Sequence, residues 1–374
     1  MTEFADRALL PAGLRDILPP HAAHEADVVT RLMTYFAGWG YERVKPPLIE
    51  FEESLLSGSG SGMAKHTFRV MDPVSQRMMG LRADMTLQVA RIATTRLATS
   101  PRPLRLCYAG QVLRVKGSQL RPERQFGEAG LELIGGAEAT ADAEVLLLAA
   151  RALSDLGIDK VSVDLTVPTL VPLIVDDASD ADGLREALDH KDTAAVAANG
   201  GRAAAVLCDL IDAAGPVPRA LSKLEAIDLP PAAAAERQRL ADVVRLVRDA
   251  APDLTLTIDP VENRGFEYHT GIAFTIFARD VAAELGRGGR YLANGEPATG
   301  ATLFMDTVID ALPGPAPARR IFVPLGTVQG TANRLRSEGW ITVAGLHGIA
   351  DPMAEARRLG CSHAFVAGGI ISVG

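Results

Sequence analysis

Cysteine is scarce in this chain. Three occur, Cys107, Cys208 and Cys361, far apart and odd in number. They match no zinc-ligand spacing and no disulfide framework, which points to a reducing, cytosolic setting. Long apolar runs are missing too, and none approaches the roughly 20 residues that a membrane-spanning helix needs. Met1 to Arg15 carries acids and no continuous apolar stretch, so it does not read as a secretory signal. A positive charge excess is also absent, the formal net charge being −8. Proteins that grip a nucleic-acid backbone usually present a basic face, so this balance argues against that class. What remains is an ordinary soluble composition, 48% hydrophobic and 22% charged. The 374 residues exceed one ordinary core and imply two or three domains.

Residues 9–19 form a proline-bounded, extended arm. Val28, Val29, Leu32, Phe36 and Trp39 fall near helical spacing, and Gly40 stops the helix they predict. Tyr41 to Glu50 reads as a strand broken by Pro46 and Pro47, hence an edge or interface segment. The glycine- and serine-rich run 57–65 lacks P-loop spacing and reads as a surface loop. A hairpin is expected around Asp72-Pro73, and a helix opening at Asp84-Met85-Thr86. Strands are expected at 104–115, 125–134, 161–167 and 254–258. Thr140 is expected to cap a helix that ends at Gly157. From about 180 to 252 alanine, leucine and charge dominate, which predicts a helical insertion with a turn at Gly215–Pro218. Arg287 to Tyr291 reads as a glycine turn, and Gly300 to Leu312 as a final apolar element. The prolines from Pro313 to Pro317 mark a semi-rigid linker, 313–318, that closes a core of 1–312. Beyond it, 319–374 alternates as βαβαβ, a small layered α/β unit.

Two stretches carry chemistry. Arg264-Gly-Phe-Glu-Tyr-His-Thr-Gly271 runs into the apolar segment Ile272 to Phe277. An arginine fork suits a carboxylate, an acid and a phenol suit an ammonium, and glycines allow close backbone approach. A small zwitterion would fit, although the same residues also make a polar turn capping a strand. On the strand 125–134, Glu128, Gly130 and Glu132 share one face with Phe126 and the preceding Arg124. Charges on an inward face must be paired or bind something, whereas on an outward face they are merely solvated.

These stretches resemble class II histidyl-tRNA synthetases from the arm to the linker. The match runs through Pro11 to Pro19, Gly40-Tyr41, Pro46 to Glu50 and Leu81-Arg-Ala-Asp-Met-Thr86. It continues from Arg114 to Gln125-Phe126 and Glu132-Leu-Ile-Gly135, then Arg264 to Gly271, and Gly288-Gly289-Arg290-Tyr291. The resemblance implies an α+β core whose antiparallel sheet is flanked by helices, and a dimer formed through the motif at Gly40-Tyr41 and Pro46 to Glu50. It departs where such an enzyme grips ATP. Lys116 stands where the family has a glutamate, and Thr307 where it has an arginine. Losing one phosphate-site cation typically costs a few kcal/mol of transition-state stabilisation, so adenylation is not expected. The C-terminal unit is about half of the family's anticodon-binding domain.

A synthetase-like body that lacks the ATP apparatus is similar to the regulatory subunits of ATP phosphoribosyltransferase. That resemblance implies a non-catalytic protein with no cofactor and no metal. Its expected partners are a short-form catalytic subunit and L-histidine as effector, with a homodimer inside a cytoplasmic hetero-oligomer and neither nucleic acid nor membrane. An active histidyl-tRNA synthetase is the alternative. The implied histidine pocket draws on Asp84, Thr86 and Glu128 for the ammonium and on Arg264 for the carboxylate. Glu132 with Tyr268 or His269 would face the ring, and Tyr108 and Arg114 complete the set. Glu128 replaces the family's glutamine and His269 a tyrosine, and a pocket histidine would make binding sensitive to pH.

Overall fold

The computed structural model describes residues 9–56, 63–117, 122–175, 181–262 and 268–373. The serine–glycine run at 57–62 and Arg264 to Glu267 therefore lie outside the described residues. The chain divides into two units, Met1–Gly314 and Pro315–Gly374.

In the first unit a helix α1, His21–Gly38, buries Val28, Leu32, Met33 and Phe36 along one face. Gly40 ends it with φ of 84°. The proline-broken segment forms two short strands, β1 (Glu42–Arg43) and β2 (Ile49–Phe51). β3 (Arg69–Met71) and β4 (Met78–Leu81) make the expected hairpin and join β2 in a small sheet of order β2-β4-β3. A helix, Thr86–Thr95, opens where Asp84 Oδ1 accepts from the Thr86 N–H at 2.7 Å.

The main sheet follows. Its strands are β5 (Leu104–Leu113), β6 (Gln125–Ile134), β7 (Val161–Thr166), β8 (Gly215–Pro216), β9 (Thr255–Ile258), β10 (Ala273–Ala278), β11 (Gly286–Ala293) and β12 (Glu296–Phe304). With β1 they stand in the order β1-β5-β6-β12-β11-β10-β7-β9-β8. β1 and β5 run parallel, as do β7 and β9, and the other pairings are antiparallel. Alternation along β6 divides the interior. Ala129, Leu131 and Leu133 join one core with α1 and the helix Ala139–Leu156, while Phe126 and Ile134 join another with Tyr108, Tyr291 and Phe304. Glu128 and Glu132 point with the second set, and both are fully buried. The strand's charged face is thus interior rather than solvated.

Three expectations about the first unit need correction. Thr140 does not cap Ala139–Leu156: the cap position is Glu138, without a side-chain hydrogen bond, and Gly157 at φ of 102° closes the other end. Gly215–Pro218 is not a plain turn. Gly215 and Pro216 pair with β9, and Val217–Ala226 is a helix, because proline at the first turn of a helix loses no hydrogen bond. Arg287 to Tyr291 is not a turn but the middle of β11. Its glycines serve close approach: a Cβ on Gly288 would meet Gly300 O at 2.3 Å and the Phe274 ring at 2.5 Å. The remaining helices between β7 and β9, among them Pro231–Ala250, make up the helical insertion. The final apolar element splits at Phe304 into β12 and the helix Met305–Ala311.

The second unit holds β13 (Arg320–Val323), β14 (Ile341–Ala344), β15 (His363–Val366) and β16 (Gly369–Ser372) in the order β14-β13-β15-β16. The last expected strand is a hairpin instead. Ala367 and Gly368, both at positive φ, fold β16 back against β15.

Candidate functional site

The second core face of the sheet contains a polar island. Glu132 on β6 faces Gly300 on β12 in register, and only a glycine leaves room for its carboxylate there. Tyr291 of β11 donates to Glu132 Oε2 at 2.9 Å. Tyr108 of β5 lies 3.3 Å from the other carboxylate oxygen. The Tyr108 hydroxyl also shares hydrogen bonds with Thr86 at 3.2 Å and Thr302 at 2.8 Å. Room for that ring comes from Gly130, whose Cβ would lie 2.4 Å from the Tyr108 hydroxyl. Beside the island is a small cavity, about 10 Å³ of open space, walled by Thr86, Glu132, Tyr268, His269, Arg287, Tyr291, Thr302 and the glycines 288, 289 and 300. The Tyr268 and His269 rings lie 4.1 Å apart, and Tyr268 meets Tyr291 edge-on at 6.3 Å.

Thr86, Glu132, Tyr268 and His269 from the sequence-based set come together in this wall, with Tyr108 bonded just behind it. Asp84, Arg114 and Glu128 are not in the wall. Burial pushes Tyr108, Glu132 and Tyr268 upward in pKa, and Asp84 is near enough to add to each rise. Arg114 Nη2 is 3.4 Å from Glu128 Oε1, and its guanidinium lies over the Phe126 ring at 4.9 Å. Arg264 lies outside the described residues. Sequence reasoning missed Tyr291, Gly300, Thr302 and Arg287. The signal for Tyr291 and Arg287 was their alternation on one strand, which was hidden by reading those glycines as a turn.

Burial pushes Glu132 up to about 8, with Asp84 adding to the rise and hydrogen bonds from Tyr291, Thr86 and Tyr108 opposing it. An unfolded glutamate titrates near ~4.3, so the folded state holds this proton over a wider range. Its stabilising effect is complete below that pH and is lost as pH rises through about 8. Thermal melts of the wild type should therefore decline toward alkaline pH. Glu132→Gln, which resembles the protonated acid, should flatten the decline, and equal slopes in both proteins would show that Glu132 is ionised throughout.

A second buried cluster braces the site from the opposite face. Asp142 pairs with Arg290 of β11 at 2.8 Å and with Arg239 of Pro231–Ala250 at 3.2 Å. Arg290 also donates to the carbonyls of Gly136 at 3.0 Å and Glu138 at 3.2 Å. Its backbone clamps the pocket loop: Thr270 N–H donates to Arg290 O, and Arg290 N–H donates to Ile272 O, each at 2.8 Å.

The family model described as histidyl-tRNA synthetase matches residues 13–308. The ATP phosphoribosyltransferase regulatory subunit of Paramagnetospirillum magneticum is 66% identical over 378 residues, which cover 100% of both chains. That of Rhodospirillum centenum is 63% identical, covering 97% of this chain and 96% of its own. The chain belongs to the family of ATP phosphoribosyltransferase regulatory subunits. A solved ATP phosphoribosyltransferase regulatory subunit/histidyl-tRNA synthetase from Bacillus halodurans superposes with a TM-score of 0.81 at 22% identity, over 94% of this chain and 96% of that one. The fold of this regulatory-subunit family member is thus the class II histidyl-tRNA synthetase fold. In it, Lys116 is exposed and Thr307 is buried in Met305–Ala311. Among the described residues, no helix is long and apolar enough to cross a membrane.

Proposed function

We propose that this chain is the non-catalytic regulatory subunit of ATP phosphoribosyltransferase, required for the first step of histidine biosynthesis, and that its sheet-face pocket binds histidine as the feedback effector. The observation that carries the reading is full-length identity to regulatory subunits together with a walled pocket whose ATP-side motif has lost its arginine. In the pocket, Glu132 and its tyrosines would take the imidazole, with Tyr268 and His269 against the ring. Asp84, Thr86 and Glu128 would take the ammonium, with Arg114 beside Glu128 just past the end of β5. Arg264 would take the carboxylate. Feedback is then a linkage effect: histidine binds one state of the assembly more tightly and shifts the population toward it. The assembly would be a cytoplasmic hetero-oligomer built on a homodimer of this chain and a short-form catalytic subunit.

The test is reconstitution. The purified chain should restore activity to a short-form catalytic subunit, and histidine should suppress that activity. The chain alone should show no histidine-dependent ATP–pyrophosphate exchange. The match to the synthetase family favours one other reading, an active histidyl-tRNA synthetase. Measurable exchange together with failure to activate the catalytic subunit would establish that reading instead.

A further inference from the structure

β11 carries a cation that faces the pocket and that neither the family resemblance nor the histidine reading assigns. Residues 287, 289 and 291 of β11 share one face of the strand. Tyr291 reaches Glu132 from that face, and Gly289 is pressed against His269, whose Cδ2 would lie 2.6 Å from an added Cβ. Arg287 stands opposite Thr302 in register, and Thr302 in turn shares a hydrogen bond with Tyr108 inside the island. Cross-strand partners in an antiparallel pair project to the same side, which places the Arg287 side chain on the pocket side. Its guanidinium carbon is 5.7 Å from the Phe304 ring, within the same core. Arg287 lines the cavity along with Glu132 and Tyr268. Nη2 of Arg287 is 2.5 Å from Glu284 Oε1, and both side chains are partly exposed at the rim, 31% and 23%.

The pocket therefore presents two different polar groups at two places, a carboxyl at Glu132 and a guanidinium at Arg287. We propose that Arg287 is a carboxylate-binding arm of this pocket, and that Glu284 occupies its fork until a ligand carboxylate displaces it. The fork matches a carboxylate geometrically, and one acid can exchange for another at little cost in geometry. The ligand class that follows is a free α-amino acid, with amides, esters and reduced alcohols disfavoured. Glu284 becomes an intramolecular competitor, so removing its charge should tighten binding rather than weaken it.

This inference rests on the histidine reading of the pocket, and the two are separable by titration calorimetry. L-histidine and L-histidinol, which has an alcohol in place of the carboxylate, would be titrated into the full chain and into Arg287→Met and Glu284→Gln. Arg287→Met should weaken L-histidine by about tenfold or more, the scale of a charge-assisted hydrogen bond, and weaken L-histidinol far less. Glu284→Gln should tighten L-histidine several-fold and leave L-histidinol unchanged. Equal losses for both ligands in Arg287→Met, or weaker L-histidine binding in Glu284→Gln, would overturn the arm while leaving the histidine pocket standing. A wild-type chain that binds neither ligand would overturn both. Should Arg287→Met fail to fold, the rim substitution Glu284→Gln decides the matter alone, by whether L-histidine tightens.

Discussion

Gly300→Ala should abolish ligand binding and cost about 3 kcal/mol of stability, the upper end of ordinary overpacking. The added methyl would sit 1.7 Å from Glu132 Oε2 and 2.4 Å from its carboxyl carbon. Glu132 cannot step aside, because Tyr291 and Tyr108 hold its two oxygens and the residue is completely buried. Nor can the backbone yield, since Gly300 lies between β6 and β11 in the centre of the main sheet. Either the carboxyl leaves its hydrogen bonds or the β6–β12 seam opens. Urea unfolding and calorimetry with L-histidine would measure both losses. Gly38→Ala provides the control: its Cβ would meet nothing within 4 Å, so stability should be unchanged or slightly raised. A Gly300→Ala protein of wild-type stability and affinity would mean that this face of the sheet is looser than its packing indicates.

Arg290→Met should be as damaging through a different mechanism. Asp142 and Arg290 are both nearly sealed from water, with side-chain exposures of 4% and 8%. Breaking such a pair from one side leaves a buried charge without compensation, a loss of about 3–5 kcal/mol. Arg239 is a partial substitute at best, since it reaches Oδ2 at 3.2 Å and not Oδ1, which Arg290 holds, and comes in from a more exposed position. Burial already pushes the Asp142 carboxyl upward, against the two arginines. Without Arg290 it should rise further and take up a proton more readily. The deficit should accordingly be smaller near pH 5 than near pH 8, and Arg290→Met/Asp142→Leu should recover part of it. A deficit that does not vary with pH would locate the damage in the lost carbonyl contacts at Gly136 and Glu138 instead.

The β5–β6 pair and the helix before it were legible in the sequence because each element carries its own period. Glu128 and Glu132 announced an interior polar site because charge on a strand otherwise suited to burial is rare. The strand β11 was not legible. Glycines read as turns when viewed one at a time, and their reason here is a neighbour far away in sequence: Gly300 behind Gly288, His269 beside Gly289, Glu132 against Gly300. No local rule reports a contact across so many residues. The same blindness hid Tyr291 and Thr302, whose roles depend on which strand stands next to which. Thr140 misled in the ordinary way, because a good capping residue at the second position of a helix looks like its boundary.

The seam between β6 and β12 joins Ile134 to Ala298, and the chain between them, β7 to β11 included, must be made before it closes. Glu132 belongs to the early side of that seam, and Tyr291 and Thr302 to the late side. During synthesis the β5–β6 hairpin can form as soon as it emerges, yet half of the pocket wall has not been made. Pairings across such separations close slowly, though their entropic cost grows only logarithmically with the intervening length. A ligand seated at this joint binds the finished core and nothing earlier. It adds stability by mass action to completed chains alone. An amino acid bound in this pocket would thus also act as a fastener on the last joint the chain makes.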